Sequence, residues 1–176
     1  LFFRAFGEYK NPIQIYSTIP FVWMLGLNEV SVRLPSALYG IGGVIAIFFL
    51  TKQLLNSHPH KNVISLLSAL FLAVSPWHIH YSRAGFEVTL LIALYLFGLY
   101  FFLNALKKPV WFIPSAIFFA LTPWVYSTAK LYLPLTAIFL FFVWFKGIFD
   151  VSGRKYLIIA GVIFLLISVP YGWSTF

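Results

Sequence analysis

The side chains best able to do chemistry concentrate in one stretch, Pro76-Trp77-His78-Ile79-His80-Tyr81-Ser82-Arg83-Ala84-Gly85-Phe86-Glu87. A carboxylate such as Glu87 can take a proton from a hydroxyl. An arginine such as Arg83 offers a planar fork of N–H donors that matches phosphate or carboxylate oxygens two at a time. Tyr81 adds a polar aromatic to the same cluster. His78 and His80 are open to two readings, as metal ligands or as ordinary interfacial polar residues; at i and i+2 they do not share a helix face. Three charged residues elsewhere join the candidates: Glu8 and Lys10 near the start of the chain, and Lys130 at the end of Tyr126-Ser-Thr-Ala-Lys130. Together they suit an anionic ligand held by Arg83, Lys10 and Lys130, with a carboxylate beside it.

The elements that must carry these residues are membrane helices. The chain is 61% hydrophobic and 9% charged, with a mean hydropathy of +0.93, whereas soluble domains carry about 25% charged residues. A helical span takes about 20 apolar residues. The runs Leu34–Leu55, Val63–His78, Val88–Leu106, Val110–Tyr126, Leu131–Phe145 and Tyr156–Trp173 predict about six spans, antiparallel in succession because their connections are short. The fold class expected is therefore all-α, a polytopic transmembrane helical bundle spanning residues 33–176. Residues 1–32 precede it as a loop and a juxtamembrane helix. In that segment Ile13, Tyr16, Pro20, Trp23 and Met24 recur at helical spacing, which predicts an interfacial helix ended at Gly26.

Charge divides the loops into two sets. Lys52, Lys61, Lys107, Lys108, Lys146, Arg154 and Lys155 fall on one side with Asp150 as its only acid. Arg4, Lys10, Arg33, Arg83 and Lys130 fall on the other, mixed with Glu8, Glu29 and Glu87. The positive-inside rule makes the first side cytoplasmic and puts the Pro76–Glu87 cluster on the opposite face. The net charge of +8 is thus a topology signal, and no soluble basic domain is left to bind nucleic acid. The absence of cysteine excludes disulfides and thiolate metal sites. Glu29 and Arg33 are spaced to pair across one helical turn. His58 and His60 read as a plain loop. The chain opens on Leu1 in mid-pattern, which predicts a piece of a longer protein, inactive by itself.

Tyr9-Lys-Asn-Pro-Ile13, Tyr16 and Gly26-Leu-Asn-Glu-Val-Ser-Val-Arg-Leu-Pro-Ser-Ala37, followed by Ser75-Pro-Trp-His-Ile-His-Tyr-Ser-Arg83 and Glu87, resemble an ordered pattern. It is that of the polyprenyl-phosphate-dependent membrane glycosyltransferases of the GT-C class, nearest the dolichyl-phosphate-mannose-protein mannosyltransferase-like and bacterial Rgt-like group. The likeness runs from about Gly7 to about Pro134. It implies an active site on the non-cytoplasmic face, covered by juxtamembrane helices. It also implies transfer of a hexose or pentose from a polyprenyl-phosphate donor to a lipid, glycan or protein acceptor, in the plasma membrane of a prokaryote. Glu87 corresponds to the group's second acidic position, Glu where many relatives carry Asp, while the primary base is expected upstream of Leu1. Arg83 corresponds to the arginine before that acid, and Lys10 lies one residue early against the group's Lys-Pro.

Such a transfer needs cations for the departing phosphate and a base for the acceptor. A divalent metal ion is an alternative source of the positive charge. The rival from another class is a transporter or flippase for a lipid-linked or anionic substrate. Transporters place ionisable residues near the midplane on broken helices, whereas here the charges gather at span ends.

Overall fold

The computed structural model describes residues 3–5, 8–10, 12–150 and 154–174. The described fold is helical apart from a short antiparallel ribbon, β1 (Phe3–Ala5) and β2 (Glu8–Lys10), in which Arg4 faces Tyr9. Helix α1 (Pro12–Leu25) starts on Pro12, whose missing N–H costs nothing at a helix's first turn. It stops at Gly26, which takes the left-handed φ of +76°. It docks on the bundle through its first turn and leaves most of the apolar row outward. Gln14 is buried, and Ile13 packs on Leu90, Leu94 and Val125. Tyr16, Trp23 and Met24 face outward, Trp23 being 86% exposed. A large aromatic left this bare suits an interface where water and lipid meet.

Each of the six expected spans corresponds to helix. Helix α2 (Glu29–Leu54) begins with a capping box: the Ser31 N–H donates to Asn28 Oδ1 at 2.9 Å, and the Asn28 N–H donates to Ser31 Oγ at 3.2 Å. α2 and α5 (Val88–Ala105) are long and apolar enough to cross a membrane individually. Shorter apolar helices cover Pro109–Val125, Ala129–Val143 and Lys155–Pro170. They belong to α6 (Phe112–Val125, led in by a 3-10 turn), α7 (Ala129–Val143) and α9 (Arg154–Ser174), with the small α8 (Phe145–Asp150) before α9.

The second expected span is corrected. Val63–His78 is not one straight run. α3 (Lys61–Val74) ends, Ser75 is extended at φ −62° and ψ 122°, and α4 (Pro76–Ala84) leaves at 56° to it. Pro76 causes the break, because a proline ring crowds the preceding residue out of helical conformation. α4 in turn ends on Gly85, left-handed at φ +82°, before α5 begins.

The bundle is knit by α5, which packs on α2 and α6, and by α6 on α9. Buried polar contacts set the pairings. Ser36 Oγ donates to the Phe86 carbonyl at 2.9 Å, Thr89 Oγ1 lies 3.0 Å from Ser36 Oγ, and both residues are fully buried. Ser115 Oγ donates to the Gly98 carbonyl at 2.9 Å, and Trp124 Nε1 donates to the Ile167 carbonyl at 2.9 Å. Interhelical bonds of this kind contribute on average about 0.6 kcal/mol in membranes, so close packing carries more of the stability. Gly98 shows it. A Cβ there would meet the Phe119 ring at 3.0 Å. Gly98→Ala is expected to cost about 1–3 kcal/mol by overpacking, read as a lower thermal unfolding midpoint. Adding Phe119→Leu should recover part of the loss. An unchanged midpoint would show that the two helices can part freely.

Candidate functional site

α4 has two working faces, and helical spacing separates residues 76, 79, 80 and 83 from 78 and 82. Residues 76, 79, 80 and 83 recur at i, i+3, i+4 and i+7, so they share a side. Pro76, Ile79, His80 and Arg83, together with Val74, Ala84 and Arg33 of α2, line a cleft of about 580 Å³. Residues 78 and 82 point the other way, into α2. His78 is 3% exposed, and its Nε2 lies 3.0 Å from the Gly40 carbonyl. The two histidines therefore lie on different faces and do not share a ligand. No group of three or more His, Cys, Asp or Glu able to hold a metal ion occurs among the described residues.

The cleft is cationic. Arg33 Nη1 lies 3.4 Å from Glu29 Oε2, the pair that the spacing implies. Both partners are well exposed, so the bond is weak and readily exchanged. Arg83 has no ion-pair partner among the described residues. A helical Arg83 and Glu87 four apart would face one another, but the Gly85 turn lies between them. Glu87 sits half-buried at the α5 N-cap without capping it by its side chain, and it is not among the cleft-lining residues. Two guanidiniums and an imidazole on one cavity, which no carboxylate lines among the described residues, favour an oxyanion able to bridge the arginines.

The remaining candidates divide. Tyr81 is half-buried in an aromatic run, with ring centroids 4.8 Å from Trp77 and 5.1 Å from Phe86, and does not line the cleft. Lys130, in the first turn of α7, lines a separate apolar cavity of about 720 Å³ between α6, α7 and α9. Glu8 and Lys10 fall in β2, and their side chains lie outside the described residues. Arg33 is the residue that the sequence reading passes over. Its pairing with Glu29 accounts for it locally, and the available signal was its place at the same helix ends as Arg83. Arg83 and Lys107 lie at opposite ends of α5, whose 18 residues rise about 27 Å. The cleft is therefore at the far end of the bundle from Lys107 and Lys108.

The family model described as dolichyl-phosphate-mannose-protein mannosyltransferase matches residues 10–173. The chain belongs to that family. The match takes in every residue of the cleft and extends beyond the motifs that carry the sequence resemblance, through α7 and most of α9. As a member of the dolichyl-phosphate-mannose-protein mannosyltransferase family the chain is of a glycosyltransferase type, and with its apolar helices it is an integral membrane protein. No curated protein and no solved structure matches it significantly.

Proposed function

We propose that this protein moves a sugar from a polyprenyl-phosphate donor to an acceptor hydroxyl on the non-cytoplasmic side of a prokaryotic plasma membrane. The observation that carries the proposal is the convergence of Arg33 and Arg83, from two helices, on one cleft. In the reaction the acceptor oxygen attacks the anomeric carbon. The bond from that carbon to the phosphate oxygen breaks, and the lipid phosphate departs with the electron pair. Its oxygens gain charge as the bond breaks, so cations fixed beforehand stabilise the transition state more than the ground state. Arg33 and Arg83 supply that charge, and His80 is a third donor on the same wall. The hydroxyl proton goes to a carboxylate. Glu87, just past the cleft, is assigned to the acceptor side and not to the phosphate. Lys10 is assigned to the substrate through the family resemblance, Glu8 and Tyr81 by residue type, and Lys130 to the lipid portion beside its apolar cavity. The lysine-rich opposite end suits the cytoplasm.

The test is transfer by the complete protein in lipid nanodiscs, given radiolabelled polyprenyl-phosphate sugars or nucleotide sugars. Label should pass to acceptor from the lipid-linked sugars alone. Transfer from a nucleotide sugar, or movement of intact lipid across the bilayer without transfer, would replace this reading.

A further inference from the structure

α4 is seated on α2 by a notch and a buried imidazole. Gly40 and Gly43, one turn apart on α2, have no side chains, and His78 and Ser82, one turn apart on α4, occupy the space. A Cβ on Gly40 would collide with the Ser82 hydroxyl and would lie 3.0 Å from Ser82 Cβ. A Cβ on Gly43 would lie 3.5 Å from His78 Cε1. The Ser82 Oγ bonds back to its own helix, donating to the His78 carbonyl at 2.7 Å, so it fills the notch without asking α2 for a partner. The imidazole does reach across. A carbonyl only accepts, so the ring nitrogen 3.0 Å from the Gly40 oxygen must be the one carrying hydrogen. With the ring neutral, His78 is then the Nε2–H tautomer, and Nδ1 is left as a buried acceptor with no partner among the described residues. Leaving such an atom unsatisfied is costly. An apolar side chain of similar size would avoid that cost and fill the notch as well. Packing alone therefore does not account for a histidine here, whereas a directional bond between the two helices does.

What that bond controls is visible on the other side of α4. His80 and Arg83 share a rigid nine-residue helix with His78 and Ser82, so the seat on α2 fixes how far Arg83 stands from Arg33. Neither end of α4 is fixed by continuous helix: Ser75 is extended before it, and Gly85 is left-handed after it. We infer that His78 is a positioning residue, whose bond to Gly40 sets the spacing of the two guanidiniums and hence the affinity for the phosphate of the donor. The inference rests on the transferase reading for its ligand, but not for its geometry.

Two variants separate the bond from the bulk. Gln places an amide nitrogen about where Nε2 stands and keeps a donor, whereas Phe keeps the ring and loses it. In the complete protein, His78→Phe should raise the KM for the polyprenyl-phosphate sugar about tenfold, with kcat little changed, because a small misplacement at a binding cleft is expensive. His78→Gln should stay close to the parent. Geometry is read separately. These 176 residues contribute no cysteine of their own, so Leu38→Cys on α2 and Ala84→Cys on α4, in a background with any other cysteine replaced by serine, can take the spin labels. Their distance distribution should be narrow in the parent and the Gln variant and broad in the Phe variant. A narrow distribution in His78→Phe overturns the seat, and a broad one with unchanged KM overturns the positioning role. Should the parent protein transfer no sugar, the transferase reading falls, while the distance distributions still decide the seat.

Discussion

Arg83→Ala should lower kcat/KM for a polyprenyl-phosphate sugar by about a hundredfold. A hydrogen bond to a charged group contributes about 1.5–3 kcal/mol, and losing one donor to a developing oxyanion costs about 10²–10³ in rate. Arg83 has no carboxylate partner among the described residues, so its charge is free for a ligand. Arg33→Ala should cost less, about tenfold, since Glu29 at 3.4 Å already takes part of that charge and must be given up when ligand binds. If the two guanidiniums share one phosphate, the double variant should be worse than either single one, yet its loss should differ from the product of the two. Arg83→Lys should recover only part of the activity, because a point charge replaces a two-toothed fork. Both side chains are exposed at helix ends, so insertion and thermal stability should be nearly unchanged. Full turnover in both alanine variants would remove the cleft from the mechanism.

Gly40→Val is expected to lose both stability and transfer. The space at Gly40 is already filled by the Ser82 side chain. Overpacking costs about 1–3 kcal/mol, and the relief available is for α4 to lift off α2, carrying Arg83 and His80 with it. The unfolding midpoint should fall, and donor KM should rise at temperatures where the protein remains folded. Gly42→Ala is the control on the same helix, because a Cβ there meets Ala93 Cβ at an ordinary 3.8 Å. Gly40→Ala combined with Ser82→Gly should restore much of the loss, since it returns the missing volume from the opposite side. If Gly40→Val behaves like Gly42→Ala in both measurements, the notch has no role.

Composition and hydropathy made the helices legible. The expected runs correspond to α2, α5, α6, α7 and α9 because an apolar run of that length has few other ways to satisfy its backbone in lipid. Gly26 was readable as a stop because a left-handed residue ends α1 there. The break at Pro76 was less legible. Hydropathy averages over Val63–His78 and hides a bend that depends on one ring and one peptide. The same limit explains the site. Apolar runs give a residue's depth along the membrane normal but not its azimuth, so Arg83 and Lys130 looked equivalent although they line different cavities. Arg83 and Glu87 are four apart, the spacing of a helical pair, but Gly85 at φ +82° ends the helix between them. Arg33 and His78 had satisfying local explanations, a neighbouring acid and an interfacial position, and only the approach of α4 to α2 gives them further roles.

The length of α3 has a consequence for depth. Its 14 residues rise about 21 Å, against a hydrocarbon layer of about 30 Å. A chain entering from the far side runs out of straight helix before the near headgroups, and there it turns by 56° into α4. The turn swings α4, and Arg83 with it, off the α3 axis at the same end of the bundle as Arg33.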